Sequence, residues 1–391
     1  MAHSRRTSDA EYDKMRSKTF IIAWALLLCA CSAFAQEPPE KQGDSPTPAK
    51  PEAALAHADA IAKQVGLSRF EYDRKLMGTA CRITVYADNE KEAAIAAEAA
   101  FEEMARLESV MSDYVQSYPD SELLQLAKHA SEDPADAREV SDDLWPVLVR
   151  SKQVHDATGG AFDITAKPFT NMWRTSRQRM ELPPKAAIER MRPFVGMGHL
   201  RLDEANQTAR LAKPGAWLDL GGIAKGFIAD RALDVLKERG LTIAQVQAGG
   251  DMALGDAPPG LEGWPIHVAD FPPRKLGNGE ETDQGLSFWH KNGGVSVSGD
   301  AFRFVEIAGV RYSHVIDPRT GLGVTGSRYC CVKGPSAFAT DAAATAGCIL
   351  DQQAFDAALK KLAEIEGPLE GWRFQGETQA SGDEQGRSEN P

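Results

Sequence analysis

The sequence predicts an α+β fold, in which one domain builds a largely antiparallel sheet and packs helices against it. Helix-like and strand-like runs alternate along the chain without the regular βα repeat that a doubly wound parallel sheet requires. Several strand-like runs also follow one another in the second half of the chain. The 391 residues are 42% hydrophobic and 26% charged, which is typical of a globular protein.

The first 35 residues are typical of an export signal rather than of a folded element. Arg16 and Lys18 precede an apolar run over residues 20–30, which is too short to span a bilayer comfortably. Residues 33–35 fit ordinary signal cleavage, whereas residues 28–31 fit a lipobox that would acylate Cys31. Both alternatives predict export, and the lipobox would add a membrane contact through an N-terminal lipid anchor.

Composition divides the rest of the chain into three parts. We expect a polar linker with a lead-in helix over residues 36–69. The folded domain is expected over residues 70–372, and a disordered tail over residues 373–391. Residues 271–289 are rich in Gly, Pro and charge, so we expect them to form a surface insertion.

Within the domain, the spacing of apolar residues predicts the individual elements. Strands are predicted over residues 81–86, 244–247, 294–298, 302–307 and 310–316. Helices are predicted over residues 91–111, from Ser141 to the glycines at 159–160, from Gly222 to Gly240, and a last one from about Phe338.

Charge and cysteine content exclude some classes of site. The net charge of −12 argues against a nucleic-acid partner, because no dense Lys/Arg stripe is present to bind a phosphate backbone. An anionic small molecule is not excluded, since metal ions and backbone N–H groups also bind phosphates. The four cysteines outside the export signal lack the repeated C-x-x-C spacing of a zinc site. We expect four buried thiols, with a disulfide left open as the alternative.

A glycine pair at Gly221 and Gly222 stands between Asp219 and a helix that carries Lys225. Free N–H groups at a helix start favour phosphate, and glycines let a ligand approach the backbone. Taken alone, the glycine pair is more simply explained by a plain turn with Asp219 as the helix cap.

Two further segments carry groups suited to chemistry. Asp341 and Thr345 lie four residues apart in a predicted helix, so both oxygen donors can meet one Mg²⁺ ion, although a capped helix start is the simpler explanation. His314 and Asp317 lie at the end of a predicted strand, before a Pro-Arg-Thr-Gly turn. A structural histidine and a catalytic one are equally compatible with that position. Glycine turns at 158–160, 249–250 and 299 are weaker signals.

The order of these segments resembles that of the ApbE family of FAD:protein FMN transferases. The matching segments are residues 77–79, 111–114, 120–123, 160–165, 219–226, 249–251, 298–300, 314–321 and 341–345. The resemblance spans residues 70–362, and its motifs are specific because they occur together in the family order. It implies a single ApbE-like domain that binds FAD, its substrate, in a cleft.

The resemblance also implies roles for individual residues. Flavin-lining positions of the family correspond to Met77, Tyr114, Ala161, Phe162 and Asp163. FAD would further contact Asp219, Lys225 and Ile316. Protein ligands of Mg²⁺ would be the carbonyl of Gly222 and the side chains of Asp341 and Thr345. Gln247 and Val297 depart from the Asn and Thr that are common in the family.

The implied reaction splits the pyrophosphate of FAD, joins FMN to a Thr or Ser hydroxyl of an acceptor protein, and releases AMP. His314 is the candidate general base, because an unperturbed imidazole has a pKa of about 6.5, and Asp317 would orient it. By analogy with the family, the acceptor is a subunit of an envelope redox complex on the periplasmic side. A Mg²⁺-dependent FAD pyrophosphatase and a flavin-binding lipoprotein without turnover are the alternatives.

Overall fold

An antiparallel sheet of seven strands lies at the centre of the computed structural model, which describes residues 51–269, 271, 285–300 and 304–376. The strands of the described residues are β1 (Ser68–Leu76), β2 (Thr79–Ala87), β3 (Arg138–Glu139), β4 (Leu200–Asp203), β5 (Thr208–Leu211), β6 (Ala244–Ala248), β7 (Asp251–Leu254), β8 (Trp264–Val268), β9 (Leu286–His290), β10 (Gly293–Gly299), β11 (Phe304–Ile307), β12 (Val310–Asp317), β13 (Leu322–Thr325), β14 (Arg328–Gly334) and β15 (Glu370–Gln375). The central order is β1-β2-β6-β7-β10-β14-β15, and all neighbouring pairs are antiparallel. The predicted α+β class is confirmed.

Helices pack against this sheet and position the loops at its end. The helices of the described residues are α1 (Pro51–Gln64), α2 (Glu90–Met111), α3 (Glu122–Glu132), α4 (Trp145–Ala157), α5 (Lys167–Arg179), α6 (Lys185–Met191), α7 (Ala224–Glu238), α8 (Ala337–Gly347) and α9 (Gln352–Glu366). α7 packs between α2 and α8, and α8 also covers β10 and β14. Gly226 makes the α7–α8 approach possible, because a Cβ there would collide with the carbonyl oxygen of Ala337.

A smaller sheet, in the order β11-β12-β13, lies beside α5. Phe169 and Trp173 of α5 are fully buried, and they pack in one hydrophobic cluster with Ile316 of β12. The register of β12 against β13 shifts between Tyr312 and Ile316, so the side chains around His314 do not follow simple strand alternation. β3-β5-β4 and β8-β9 form two more small sheets.

The predicted strands at residues 81–86, 244–247, 294–298 and 310–316 and the helices at 91–111 and 222–240 are confirmed within two residues. The helix expected from Ser141 begins at Trp145, after a turn in which the hydroxyl of Ser141 accepts the N–H of Leu144. The helix near Phe338 is present as α8 but is not the last, since α9 follows it.

Described elements lie on both sides of the predicted domain at residues 70–372, and α1 lies where a lead-in helix is expected. α1 packs against β1 and β8, and the hydroxyl of Tyr86 donates to Asp59 at 2.9 Å, so the folded unit begins before residue 70. β15 pairs with β14 through Gln375, so the start of the predicted tail at residues 373–375 is a strand. The export signal, the lipobox at Cys31 and residues 377–391 lie outside the described residues. Within the described part, no helix is both long and apolar enough to cross a bilayer.

The expected surface insertion is wrong at both of its described ends. Phe271 is 1% exposed, and Leu286 begins β9, which pairs with β8. The rest of that segment, residues 272–284, lies outside the described residues. All four cysteines at 81, 330, 331 and 348 are buried and free, as expected.

Candidate active site

The turn before α7 is held by the carboxylate of Asp219. One oxygen of Asp219 accepts the N–H of Gly221 at 2.9 Å, and the other accepts the hydroxyl of Thr170 of α5 at 2.9 Å. Asp219 is thus both a turn-closing residue and the link between the start of α7 and α5. The predicted glycine turn and helix start are therefore present, with α7 beginning two residues after Gly222.

Behind this turn lie three charged side chains, Lys225, Asp251 and Asp341, which we call the acidic cluster. The ammonium of Lys225 is 2.9 Å from Asp251 and 3.3 Å from Asp341, and it also donates to the carbonyl of Gly221 at 3.0 Å. Asp341 additionally accepts the N–H of Gly226 at 3.0 Å. Lys225 and Asp341, which are 116 positions apart in the chain, are thus joined where α7 packs against α8.

The acidic cluster carries more negative than positive charge. Asp251 is 2% exposed and Asp341 is 1% exposed, and one ammonium serves both. Burial raises the pKa of Asp341 above its ordinary value, and the Asp251 carboxylate adds to this shift against the opposing effect of Lys225. Burial opposes the charge of Lys225, but Asp251 and Asp341 more than offset it and raise the pKa of Lys225. A buried surplus of negative charge favours a second cation.

The oxygen donors beside Asp341 suit a hard divalent ion. Thr345 lies one helical turn after Asp341 on α8, and its hydroxyl is 3.3 Å from that of Ser298. The backbone of Gly222 lies against Thr345, because a Cβ at Gly222 would be 3.1 Å from the Thr345 hydroxyl oxygen. Among the described residues, no three His, Cys, Asp or Glu side chains converge on one point. A carboxylate, a hydroxyl and a carbonyl nevertheless fit Mg²⁺, which takes few protein ligands and keeps waters or substrate phosphates.

A second charged group surrounds Tyr114, and we call Asp113, Lys167 and Arg174 the cationic cluster. Lys167 and Asp113 form a buried ion pair, and Arg174 lies 3.7 Å from the same carboxylate. Tyr114 is 57% exposed, and its ring has Arg174 at 5.0 Å and Lys167 at 5.6 Å from the centroid. Burial lowers the pKa of Lys167 to about 8; Asp219 opposes this shift and Arg174 adds to it.

The segment of Ala161, Phe162 and Asp163 lies against the glycine turn before α7, with Ala161 and Phe162 buried. Asp163 caps a short 3-10 turn, where it accepts the N–H of Thr165 at 2.7 Å, and its other oxygen is 3.7 Å from His155. A Cβ on Gly222 would be 3.4 Å from the ring of Phe162, so this segment reaches the turn before α7.

Met77 lies in the turn between β1 and β2, with a left-handed φ of 52°. Its N–H donates to Glu108 of α2 at 2.9 Å. Thr79, two residues after Met77, lies against Gly249. A Cβ built on Gly249 would be 2.9 Å from the Thr79 hydroxyl oxygen. Gly249 belongs to the tight β6–β7 hairpin that ends at Asp251, so this turn adjoins the acidic cluster.

His314 and Ile316 lie on β12, where His314 is half-buried and Ile316 is buried against α5. Both carboxylate oxygens of Asp317 accept hydrogen bonds from the guanidinium of Arg319, each at 2.9 Å. Arg192 in turn donates to the carbonyl oxygens of Arg319 and Thr320. Asp317 therefore shapes the turn after the strand, and its pairing with His314 stays a prediction.

Two residues of this region were missed at the sequence level. Asp251 lies in the matched segment 249–251, directly after two glycines, but the sequence analysis gives it no role of its own. Lys167 follows the matched segment 160–165 immediately, but its burial against Asp113 depends on the packing of α5.

Comparisons with known proteins agree on one family. The profile of the ApbE family matches residues 77–367. An FAD:protein FMN transferase of Treponema pallidum is 32% identical over 317 residues, covering 76% of this chain and 83% of that protein. The FAD:protein FMN transferase of Escherichia coli K12 is 28% identical over 277 residues, covering 70% and 73%.

Solved structures show the same fold. The ApbE protein from Thermotoga maritima superposes with a TM-score of 0.64 at 26% identity, covering 79% of this chain and 97% of that one. The flavin transferase ApbE from Vibrio cholerae gives a TM-score of 0.61 at 21% identity, with coverage of 79% and 97%.

Proposed function

The chain belongs to the ApbE family, and from this premise we propose that it transfers FMN from FAD to a hydroxyl of an acceptor protein. The reaction forms a bond between the acceptor oxygen and the phosphorus of FMN, breaks the pyrophosphate bond and releases AMP. The hydroxyl proton passes to a base. The observation that carries this proposal is the acidic cluster beside the glycine turn, since it joins a buried negative surplus to a helix start suited to phosphate.

The oxygen donors support a Mg²⁺ site next to this turn. Asp341, Thr345 and the carbonyl of Gly222 would hold the ion, and Asp251 with Lys225 would set the charge around it. When bound, Mg²⁺ neutralises negative charge on the phosphates of FAD. The chain's own contribution is to keep these donors close together before the substrate arrives, with Asp341 buried among them.

The residues around the turn would hold FAD at both ends. Met77, Tyr114 and the segment of Ala161, Phe162 and Asp163 would line the flavin, with Ile316 of β12 behind it. Asp219 and Lys225 would contact the nucleotide portion near the start of α7. The exposed ring of Tyr114 supports a stacking role, because two cations fix its position and leave it accessible.

His314 is the proposed proton acceptor for the attacking hydroxyl. Its half-buried position on β12 supports this role, because a ring that keeps access to solvent can exchange its proton. The acceptor carries a Thr or Ser and belongs to an envelope redox complex. The chain itself is exported and works on the periplasmic side, with a lipid on Cys31 as its anchor if the lipobox is used.

The test is to incubate the purified chain with FAD, Mg²⁺ and exported redox subunits from the same cell. We expect a flavin that stays on one subunit after denaturation, with one AMP released for each flavin attached. Free FMN without labelled protein would identify a pyrophosphatase instead. Unchanged FAD, with binding but no turnover, would contradict any enzymatic role.

A further inference from the structure

The segment that spans α5 and α6 is basic, although the whole chain carries a net charge of −12. Residues 167–192 contain seven Lys or Arg and two Glu. Four of these cations form what we call the basic surface: Arg177, Arg179, Lys185 and Arg190. Within the described ranges, no carboxylate lies within ion-pair distance of any of these four. The fold therefore leaves a concentration of positive charge without an internal partner.

Apolar side chains are exposed at the same place. Met180 ends α5 and is 55% exposed, and Leu182 follows at 40%. Tyr114 and Val115, which adjoin Arg174, are 57% and 51% exposed. These are four of the eight large hydrophobic residues exposed in the described part of the chain. Aromatic residues, Met and Arg are the residue types enriched at protein interfaces.

The two helices that carry the basic surface reach the candidate active site through other residues, Thr170 of α5 and Arg192 after α6. Thr170 of α5 bonds to Asp219 at 2.9 Å, and Arg177 and Arg179 follow on the same helix within about 14 Å of axis length. From the end of α6, Arg192 binds the two carbonyl oxygens of the turn that follows His314 and its strand. A protein that brings a hydroxyl to this site would pass over α5 and α6.

We propose that the basic surface docks an acidic segment of the acceptor protein, next to the Thr or Ser that receives FMN. The partner's identity as an acceptor rests on the proposed function, whereas its acidic character rests on the unpaired charge and exposed apolar groups. FAD has a phosphate-binding position at Lys225 and the start of α7, so it does not account for cations spread over two other helices. Exposed charges of this kind set partner choice and association rate, and salt weakens them.

The test uses three peptides of equal length with a single Thr flanked by Glu, Gln or Lys, and measures equilibrium binding to the whole protein by fluorescence anisotropy. The variant is R177Q/R179Q/R190Q. The matched control, K91Q/K360Q/K361Q, removes three exposed cations from α2 and α9. We expect the wild type to bind the Glu peptide at least about fivefold more tightly than the Gln peptide, and the control to keep this preference. R177Q/R179Q/R190Q loses the preference while its affinity for FAD stays unchanged.

Equal binding of the Glu and Lys peptides by the wild type would overturn the proposal. The same follows if both variants behave alike, or if R177Q/R179Q/R190Q loses FAD affinity, since the surface would then serve FAD. Preferential binding to phosphatidylglycerol vesicles without any peptide preference would assign the surface to a membrane and also overturn it. Because peptide binding needs no turnover, its outcome is independent of whether flavin transfer is observed.

Discussion

The acidic cluster and the cationic cluster are two charge groups of opposite balance, one beside the start of α7 and the other beside Tyr114. In the acidic cluster, two carboxylates share the ammonium of Lys225. In the cationic cluster, Lys167 and Arg174 share the carboxylate of Asp113. Neither cluster is neutral. The acidic cluster has one negative charge in surplus, and the cationic cluster has one positive charge in surplus.

This difference indicates that the two clusters bind ligands of opposite charge. A buried group with surplus negative charge gains from a cation, whereas a group with surplus positive charge gains from an anion or from an electron-rich ring. We propose that the acidic cluster serves Mg²⁺ and that the cationic cluster serves the flavin end of FAD, near Tyr114. Changing one charge at a time in the two clusters should therefore produce different losses.

Asp341→Asn should have the largest effect on turnover. The amide keeps an acceptor for the N–H of Gly226, so we expect the fold to survive while the negative surplus disappears. Loss of several kcal/mol of charge stabilisation lowers the transfer rate by about a thousandfold or more. AMP release measured across a range of Mg²⁺ concentrations tests this, and a metal-dependent rate near that of the wild type would contradict the site.

His314→Asn should lower single-turnover rates by about a hundredfold to ten-thousandfold, because general-base help contributes that much. FAD affinity and melting temperature should stay near their wild-type values. The acidic limb of the pH–rate profile should also disappear from the residual activity. A variant that is less stable but fully active in its folded fraction would assign His314 a structural role.

Lys167→Met should act on stability and FAD affinity more than on chemistry. The substitution leaves the Asp113 carboxylate buried beside Arg174 alone, which costs about 3 kcal/mol or more in the free energy of unfolding. Adding Asp113→Asn to Lys167→Met should recover part of that loss. Urea unfolding of the single and double variants measures it, and strictly additive losses would show that the two charges do not form a unit.

Asp230→Asn should leave turnover and Mg²⁺ binding unchanged, although Asp230 is also a partly buried carboxylate near α8. Its oxygens accept the N–H groups of Ala337 and Phe338, at 3.0 and 2.8 Å, so they already have donors. Burial raises the pKa of Asp230 to about 7, so the folded protein holds this proton to a higher pH than the unfolded chain.

That shift has a definite sign for stability. Between about pH 4 and pH 7 the folded state binds the extra proton, so this group lowers the free energy of unfolding as the pH rises through that window. The Asn variant should show a flatter decline over the same range. Urea unfolding at both ends of the window checks this, and identical slopes in the two proteins would contradict the assignment.

The sequence predicts local elements well where one pattern decides them. Helix α2 and the α7 stripe follow directly from apolar spacing, and the resemblance names Asp341, Thr345 and Gly222 together. β15 is not predicted by the sequence, because this short segment beside a polar tail forms a strand only by pairing with β14. The pairing of Asp317 with Arg319 could have been predicted, since Arg319 lies two residues away in the same turn. Its guanidinium donates to the Asp317 carboxylate.

The charge balance of the two clusters could not be predicted in the same way. Asp251 begins β7 and Asp341 lies on α8, and they share Lys225 because α7 packs against both elements. Lys167 is an ordinary lysine in the sequence, and burial under Tyr114 is what lowers its pKa. Tertiary packing, rather than local pattern, decides which charged residues lack a partner.

Calorimetric titration of Mg²⁺ into the wild type, Asp341→Asn and Asp113→Asn tests most directly whether only the acidic cluster binds Mg²⁺. The account predicts that the wild type and Asp113→Asn bind Mg²⁺ with similar affinity, because Asp113 belongs to the cationic cluster. Asp341→Asn should show no saturable binding while it keeps a cooperative unfolding transition. Unchanged Mg²⁺ affinity in Asp341→Asn, or an equal loss in both variants, would contradict the account.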